Sequence, residues 1–347
     1  MATPDVTVMG GGIFGLSVAY SCLRRGAKVR LIEARAIGAG SSGGVVGALA
    51  PHVPDQWNDK KQFQLDSLLM AASHWAEVAA LSGLSPGYAR TGRLQPLADD
   101  AAVALARVRA KNAEALWAGQ ATWEIVPVNR FPGWAPRTPT GLAVFDTLSA
   151  RMHPRRAAEA LAGAIAALGG EIVIGDAPQD GAVVWATGYL GLLELSQALG
   201  RPVGNGVKGQ SLVLGHDARD LPQLFVDGLH LVPHADGTLA IGSTSERAFD
   251  APDTTDAQVE TLRARAIAAL PGLAAAPVLE RWAGVRPRAA SRAPMLGPWP
   301  DRPGHFIANG GFKIGFGMAP KVGEVMADLI LNGEDRIPPG FRATASL

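Results

Sequence analysis

The sequence predicts an α/β fold in which a Rossmann-like dinucleotide-binding domain is interleaved with an antiparallel-sheet substrate domain. Three observations carry that prediction. Residues 8–33, VMGGGIFGLSVAYSCLRRGAKVRLIE, set a glycine-rich turn between an apolar run and a helical repeat. Further alternations of apolar strand and helix occur near 154–188 and 305–331, as a parallel sheet requires. Between them, near 89–149 and 206–285, lie short alternating runs punctuated by turn residues, which suit an antiparallel sheet. The chain is thus expected to leave the nucleotide domain twice and return twice. The nucleotide domain takes 1–83, 150–205 and 289–347, and the substrate domain 84–149 and 206–288.

Taken in order, Val6 to Met9 reads as a buried strand, Ile13 to Arg25 as a helix, and Lys28 to Glu33 as a second strand ending in an acid. Gly10, Gly12 and Gly15 satisfy G-x-G-x-x-G. The first glycine allows the tight turn, the second lets a pyrophosphate approach the backbone, and the third lets helix and strand pack closely. Unpaired N–H groups at the helix start face the phosphates. Glu33 is placed to accept both ribose hydroxyls; its charge repels a 2′-phosphate, which leaves FAD or NAD rather than NADP. The run ARAIGAGSSGGVVGALAPH at 34–52 is small enough to let amides crowd a flat ligand, and Ser41 and Ser42 add hydroxyls.

Helical spacing predicts helices at Gln62–Leu81, Asp99–Ala118, Pro154–Leu168, Asp256–Leu270 and Gly317–Leu331. Strands are expected at 89–97, Gly141–Ser149, Glu171–Ile174, Ala182–Ala186, Gly206–Leu214, Val278–Val285 and His305–Ala308. Leu229–Pro233 and Thr238–Ser243 form a hairpin around Ala235-Asp236-Gly237.

A formal net charge of +1 provides no global field for nucleic acid. Cys22, the only cysteine, excludes an intrachain disulfide and reads as core packing. No secretory leader and no apolar run of transmembrane length is visible, so a cytoplasmic enzyme is expected. No G-x-S-x-G elbow supports hydrolysis. His230 and His234 flank a strand without metal-ligand spacing, and no metal is expected. His52 reads as a packed or solvent-facing side chain, Lys208 as a strand-end surface lysine, and Glu246 and Arg247 as solvating a loop.

Eight segments in order, GGGIFG with Glu33, GAGSSGGVVGALAPH, MHPRRAAEALAGAIAALGGEI, VVWATG, VKGQSLVLG, LVPHADGTLAIGSTSE, WAGVRPRAASRAPMLG and HFIANGGFKIGFGMAPKVGEVMADLI, carry a resemblance over nearly the full chain. The chain resembles the D-amino-acid oxidase family of FAD-dependent oxidoreductases, in its branch of glycine oxidases and monomeric sarcosine oxidases. The resemblance implies FAD, and because no cysteine lies near the C-terminal flavin loop, noncovalent FAD is expected. It places Ile13 and Phe14 over the pyrophosphate, Glu33 and Ala34 at the adenosine ribose, and Ser41 and Ser42 in a second phosphate loop. Val46, Gly47 and Ala48 line the isoalloxazine, an adenine contact falls at Val173 or Ile174, and Gly311, Phe312, Lys313, Ile314 and Gly315 face the flavin pyrimidine end. A helix starting near Gly317 aims its positive end at that loop.

The resemblance also implies that Arg286 holds a substrate carboxylate, for which a guanidinium fork is suited, and that Lys313 pairs with the carboxylate or sits over the flavin. A surface salt bridge is the alternative for Arg286. The segment GDAPQDG replaces a hairpin usual in the family, and none of Tyr20, Tyr88 and Tyr189 is placed as the tyrosine that binds substrate in other members. The expected activity is FAD-dependent oxidation of a small amine or amino acid, of glycine, sarcosine or D-amino-acid type, giving an imine and, with dioxygen, hydrogen peroxide. The alternatives are a dehydrogenase with a quinone or protein acceptor, an oxidase of the tRNA-modification type, and a non-catalytic flavin-binding module. The expected partner is a small-molecule substrate; an oligomer is compatible with the sequence.

Overall fold

The computed structural model describes residues 3–346. From the amino terminus come β1 (Val6–Met9), α1 (Ile13–Arg24), β2 (Val29–Glu33), the short β3 (Ala48–Leu49) and the long α2 (Asp59–Ser82). Next are β4 (Arg93–Pro96), α3 (Asp100–Trp117), β5 (Trp123–Pro127), β6 (Leu142–Asp146) and β7 (Ala150–Arg151). The chain continues through α4 (Pro154–Ala167), β8 (Glu171–Ile174), β9 (Ala182–Trp185), α5 (Gly188–Ala198), β10 (Gly204–Leu214) and β11 (Gln223–Val226). It then forms β12 (Leu229–Pro233), β13 (Leu239–Gly242), α6 (Gln258–Ala269), β14 (Val278–Ala289), β15 (Met295–Pro298), β16 (His305–Asn309) and α7 (Gly315–Asn332).

Local chemistry sets several of these boundaries. Asn58 accepts the Lys61 amide hydrogen to cap α2, which stops at Gly83 with φ +71°, a left-handed turn that glycine adopts freely. Asp99 caps α3 in the same way, and Pro154 occupies the first turn of α4, where its missing N–H is harmless. Strand order then separates two sheets. The six-stranded sheet runs β15-β16-β9-β1-β2-β8 and is parallel except for the β15–β16 pair. The eight-stranded sheet runs β14-β10-β13-β12-β11-β4-β6-β5. It is antiparallel except where β11 meets β4 in parallel, with Gln223 opposite Arg93.

Helices α1, α2, α4 and α7 share the main core with the parallel sheet, where Leu16, Leu31, Leu68, Trp75 and Leu161 are almost fully buried. Each such side chain contributes about 1.5–3 kcal/mol of burial free energy. Because α1 is buried from Ile13 to Leu23, its neighbours approach closely: a Cβ at Gly323 of α7 would lie 2.6 Å from the Ser17 carbonyl oxygen. A second core, with Leu224, Leu231, Ile241 and Leu262, lies between the large sheet and α6. Cys22 is fully buried, and burial pushes its thiol up to about 12, so it is inert packing.

The structure corrects the element list in several places. The strands expected at 89–97 and 141–149 are shorter, because the chain turns at Gly92, where φ is +80°, and leaves the sheet after Asp146. The sequence reading omits β3, β5, β7, α5, β11 and β15. Each is a brief stretch next to turn residues whose identity is settled by its neighbours in space. The parallel β4–β11 contact is likewise non-local. No helix among the described residues is long and apolar enough to cross a membrane.

His74, on α2, is packed edge-on against Tyr20 and Trp75, with its Nε2 buried and unpartnered. Burial, helped by the charge of Arg24, lowers its pKa to about 4. The unfolded chain takes up a proton near the ordinary value of about 6.5, whereas the folded site refuses it until much lower pH. This contribution is complete above the unfolded pKa and declines as pH falls towards the folded one. A His74→Phe variant should therefore lose less Tm than the parent between about pH 7 and about pH 5; equal losses in thermal denaturation would contradict the assignment.

Candidate active site

A cavity of about 630 Å³ opens along the carboxyl ends of the parallel strands and under one face of the large sheet. Its first wall is the glycine turn. Gly10 has φ +109°, and a Cβ there would meet the Ala186 carbonyl at 2.5 Å. Gly12 lines the cavity next to Ser42, whose Oγ accepts the Ile13 N–H at 2.9 Å; the hydroxyl hydrogen remains available to an anion. Glu33 accepts the Gly11 N–H at 2.7 Å and the Arg35 N–H at 3.0 Å. These bonds fix the carboxylate at the cavity wall and leave it lone pairs for ribose hydroxyls. Ile13, Phe14, Ala34 and Ser41 complete this end.

The first turns of α1, α4, α5 and α7 all reach the cavity, through Gly12–Ile13, Pro154, Gly188 and Gly315. Four positive helix ends converging on one space suit a polyanionic ligand. Val46, Gly47 and Ala48 form the middle of the wall. A Cβ on Gly47 would collide with the Met152 carbonyl, so the loop lies flat against β7 and presents backbone. Gly311, Phe312 and Lys313 line the cavity as well, with Gly311 close against Phe14. These residues fit a dinucleotide with a flat ring system.

Three of the residues expected at the cofactor do not line the cavity. Gly15 faces inward, where a Cβ would run into the Gly10 carbonyl oxygen. Val173 stays within β8, and the wall is formed just beyond the strand by Gly175 and Asp176, in the shortened 175–181 connection. Ile314 caps α7 and packs against the main core.

On the large-sheet side, Arg286 rises from β14 opposite Val207. Its guanidinium lies flat on Gly209, where any Cβ would overlap it. Nη2 donates to Ser243 Oγ at 2.7 Å and Nη1 to the Thr244 carbonyl at 3.3 Å. No carboxylate among the described residues pairs with it, which removes the surface salt-bridge alternative. Burial lowers its pKa to about 10 against the raising effect of Glu246, so it remains cationic at neutral pH. Lys313 is lowered by burial and then by the charge of Arg286, so the two cations sense one another. Its Nζ lies 5.8 Å from the centre of the Phe312 ring, and Arg288 approaches the same ring at 5.5 Å.

Other expectations are corrected here. Lys208 is buried rather than surface-exposed, and its Nζ stands 3.8 Å from Glu246. Glu246 does not solvate a loop: its carboxylate takes a 3.1 Å hydrogen bond from Gln210 and another from the Thr244 hydroxyl. This network holds Thr244, and through its carbonyl Arg286. His52 packs on Gln64. None of the tyrosines lines the cavity. Phe225, His230, Ser243 and Pro287 do line it, and sequence reasoning missed them. Leu229–Pro233, which carries His230, reads as a strand in the sequence, but which of its faces meets a ligand depends on strand pairing.

Gly209 is thus a seat for the guanidinium. A Gly209→Ala variant should raise the KM of a carboxylated substrate at least ~10-fold, because the displaced fork loses aligned hydrogen bonds, with little change in FAD content. Steady-state kinetics checks this; an unchanged KM would mean that the seat is dispensable.

An open parallel sheet with a glycine turn, converging helix starts and an acid at the second strand end defines a dinucleotide-binding protein. The family model described as FAD-dependent oxidoreductase, DAO, matches residues 5–329. The chain belongs to this family, and FAD is its cofactor. It is 28% identical to glycine oxidase from Pseudomonas putida over 96% of both chains. In structure it is similar to glycine oxidase from Geobacillus kaustophilus, with TM-score 0.83, 21% identity and 98% of each chain covered. It is also similar to iminodiacetate oxidase from a Chelativorans species, with TM-score 0.82, 21% identity and 97% and 98% coverage. These two likenesses concern the fold.

Proposed function

We propose that this enzyme oxidises a small amine or amino acid bearing a carboxylate, of glycine, sarcosine or D-amino-acid type. The observation that carries the reading is Arg286: a fixed, cationic, carboxylate-free fork on the large-sheet side of the cavity. A bidentate carboxylate contact there orients the substrate carbon that bears the amine. When bound, FAD supplies the two-electron acceptor for the carbon–hydrogen bond that is broken. Lys313 adds a second positive charge near Arg286, and the start of α7 directs its dipole there; both stabilise negative charge developing nearby. Gly10, Gly12, Ser42 and Glu33 hold the phosphates and ribose, and Gly175 or Asp176 takes the adenine contact. In this reading 1–83, 150–205 and 289–347 bind cofactor, and 84–149 and 206–288 bind substrate.

Purified protein should be yellow, and anaerobic addition of glycine, sarcosine or a D-amino acid should bleach the flavin band. Admitting air should restore the band and release hydrogen peroxide. Slow recovery in air with rapid recovery by a quinone would make the enzyme a dehydrogenase; no bleaching by any amine would overturn the proposal.

A further inference from the structure

We propose that His230 is a substrate-binding residue, donating a hydrogen bond from Nε2 to the carboxylate held by Arg286; this rests on the amine-oxidation reading above. His230 sits on β12 directly opposite Gly242 of β13, and the next residue, Ser243, holds Arg286. Cross-strand partners project from the same face of a sheet. A Cβ at Gly242 would meet Val46 of the cavity wall at 2.7 Å, so this face is the one turned to the ligand. His230 itself lines the cavity, with its ring tilted against Phe225 at 4.6 Å between centres.

Its two nitrogens differ. Nδ1 is buried and has no partner. Nε2 has no protein partner and is not among the buried unpartnered atoms, so it is the nitrogen open to the cavity. An orphaned buried N–H is more costly than an orphaned lone pair, which assigns the single proton of the neutral ring to Nε2. Burial first, and then the charges of Arg93 and Lys313, together lower the imidazole pKa to about 3. Arg93 is itself tied to the buried Asp146 at 3.0 Å. His230 therefore adds a donor without placing a third positive charge beside Arg286 and Lys313. A carboxylate has more acceptor positions than one guanidinium fills, and a neutral donor on the Phe225 side meets that remaining capacity.

The test compares His230→Leu with His230→Gln in the holoenzyme. Loss of a hydrogen bond to a charged group should raise the KM of the best amine substrate ~10- to 100-fold in the leucine variant, with a smaller change in kcat. Glutamine, which retains a donor, should return KM to within a few-fold of the parent. Acetate titrated into the oxidised holoenzyme, followed by the flavin absorbance, should show the same pattern in Kd. Should His230→Leu not fold, His230→Phe keeps the ring contact and reads the same loss. Unchanged constants, or equal losses for leucine and glutamine, overturn the proposal. If the parent is bleached by no amine, the amine reading fails separately, and the acetate titration still decides the role of His230.

Discussion

Replacing Arg286 by leucine will raise the KM for a carboxylated amine by roughly 10²- to 10³-fold, the scale of losing a desolvated, bidentate charge pair. The geometry explains so large an effect. The guanidinium is already fixed by Ser243 and Thr244, so binding a carboxylate costs little further ordering of the side chain. Glu246, the nearby acid, is engaged by Gln210, Thr244 and Lys208 and does not occupy the fork. FAD content should be unchanged, because Arg286 belongs to the large sheet whereas the glycine turn and Glu33 belong to the parallel one. Arg286→Lys should recover only part of the loss, since an ammonium keeps the charge but not the planar fork. Steady-state kinetics with bound flavin quantified decides the matter; a parental KM in the leucine variant would remove Arg286 from substrate binding.

Gly15→Ala should yield protein that is colourless and markedly less stable, by ~3 kcal/mol or more. The added methyl has nowhere to go, because it would overlap the Gly10 carbonyl and sit 3.2 Å from the Ala186 side chain. Relief would require moving α1 off the sheet, and α1 is buried along almost its whole length. Gly12→Ala provides the contrast. Its Cβ would meet only the Ser42 hydroxyl, at 3.3 Å, so the fold should survive while FAD affinity falls. Thermal denaturation and flavin titration separate the two; Gly15→Ala protein with parental FAD affinity would refute the packing role.

Much of the cofactor end was legible because its determinants are local. Gly10, Gly12, the α1 repeat and Glu33 lie within one short stretch, inside which Glu33 reaches back to the Gly11 amide. Val173 marks where local reasoning stops: the strand was placed correctly, but the wall is made by Gly175 and Asp176, whose position follows from how the shortened connection leaves β8. The substrate end depends on pairing. His230 and Arg286 line one cavity only because β12, β13, β10 and β14 lie side by side in that sheet, and a one-residue slip would turn His230 to the other face. Lys208 shows the reverse. A lysine near a strand start reads as exposed, and only its approach to Glu246 makes its burial tolerable. The omitted strands β5, β11 and β15 are stabilised by neighbours rather than by propensity.

The order of strands in the parallel sheet bears on biosynthesis. β1, near the amino terminus, is flanked by β2 and β9, and β9 in turn by β16, while α7 packs on α1 and supplies one of the four helix starts around the cavity. A chain emerging from the ribosome thus presents its glycine turn long before the segments that enclose it. Capture of the flavin must await translation past Gly315, so the nascent polypeptide carries an unfinished nucleotide cleft through most of its synthesis.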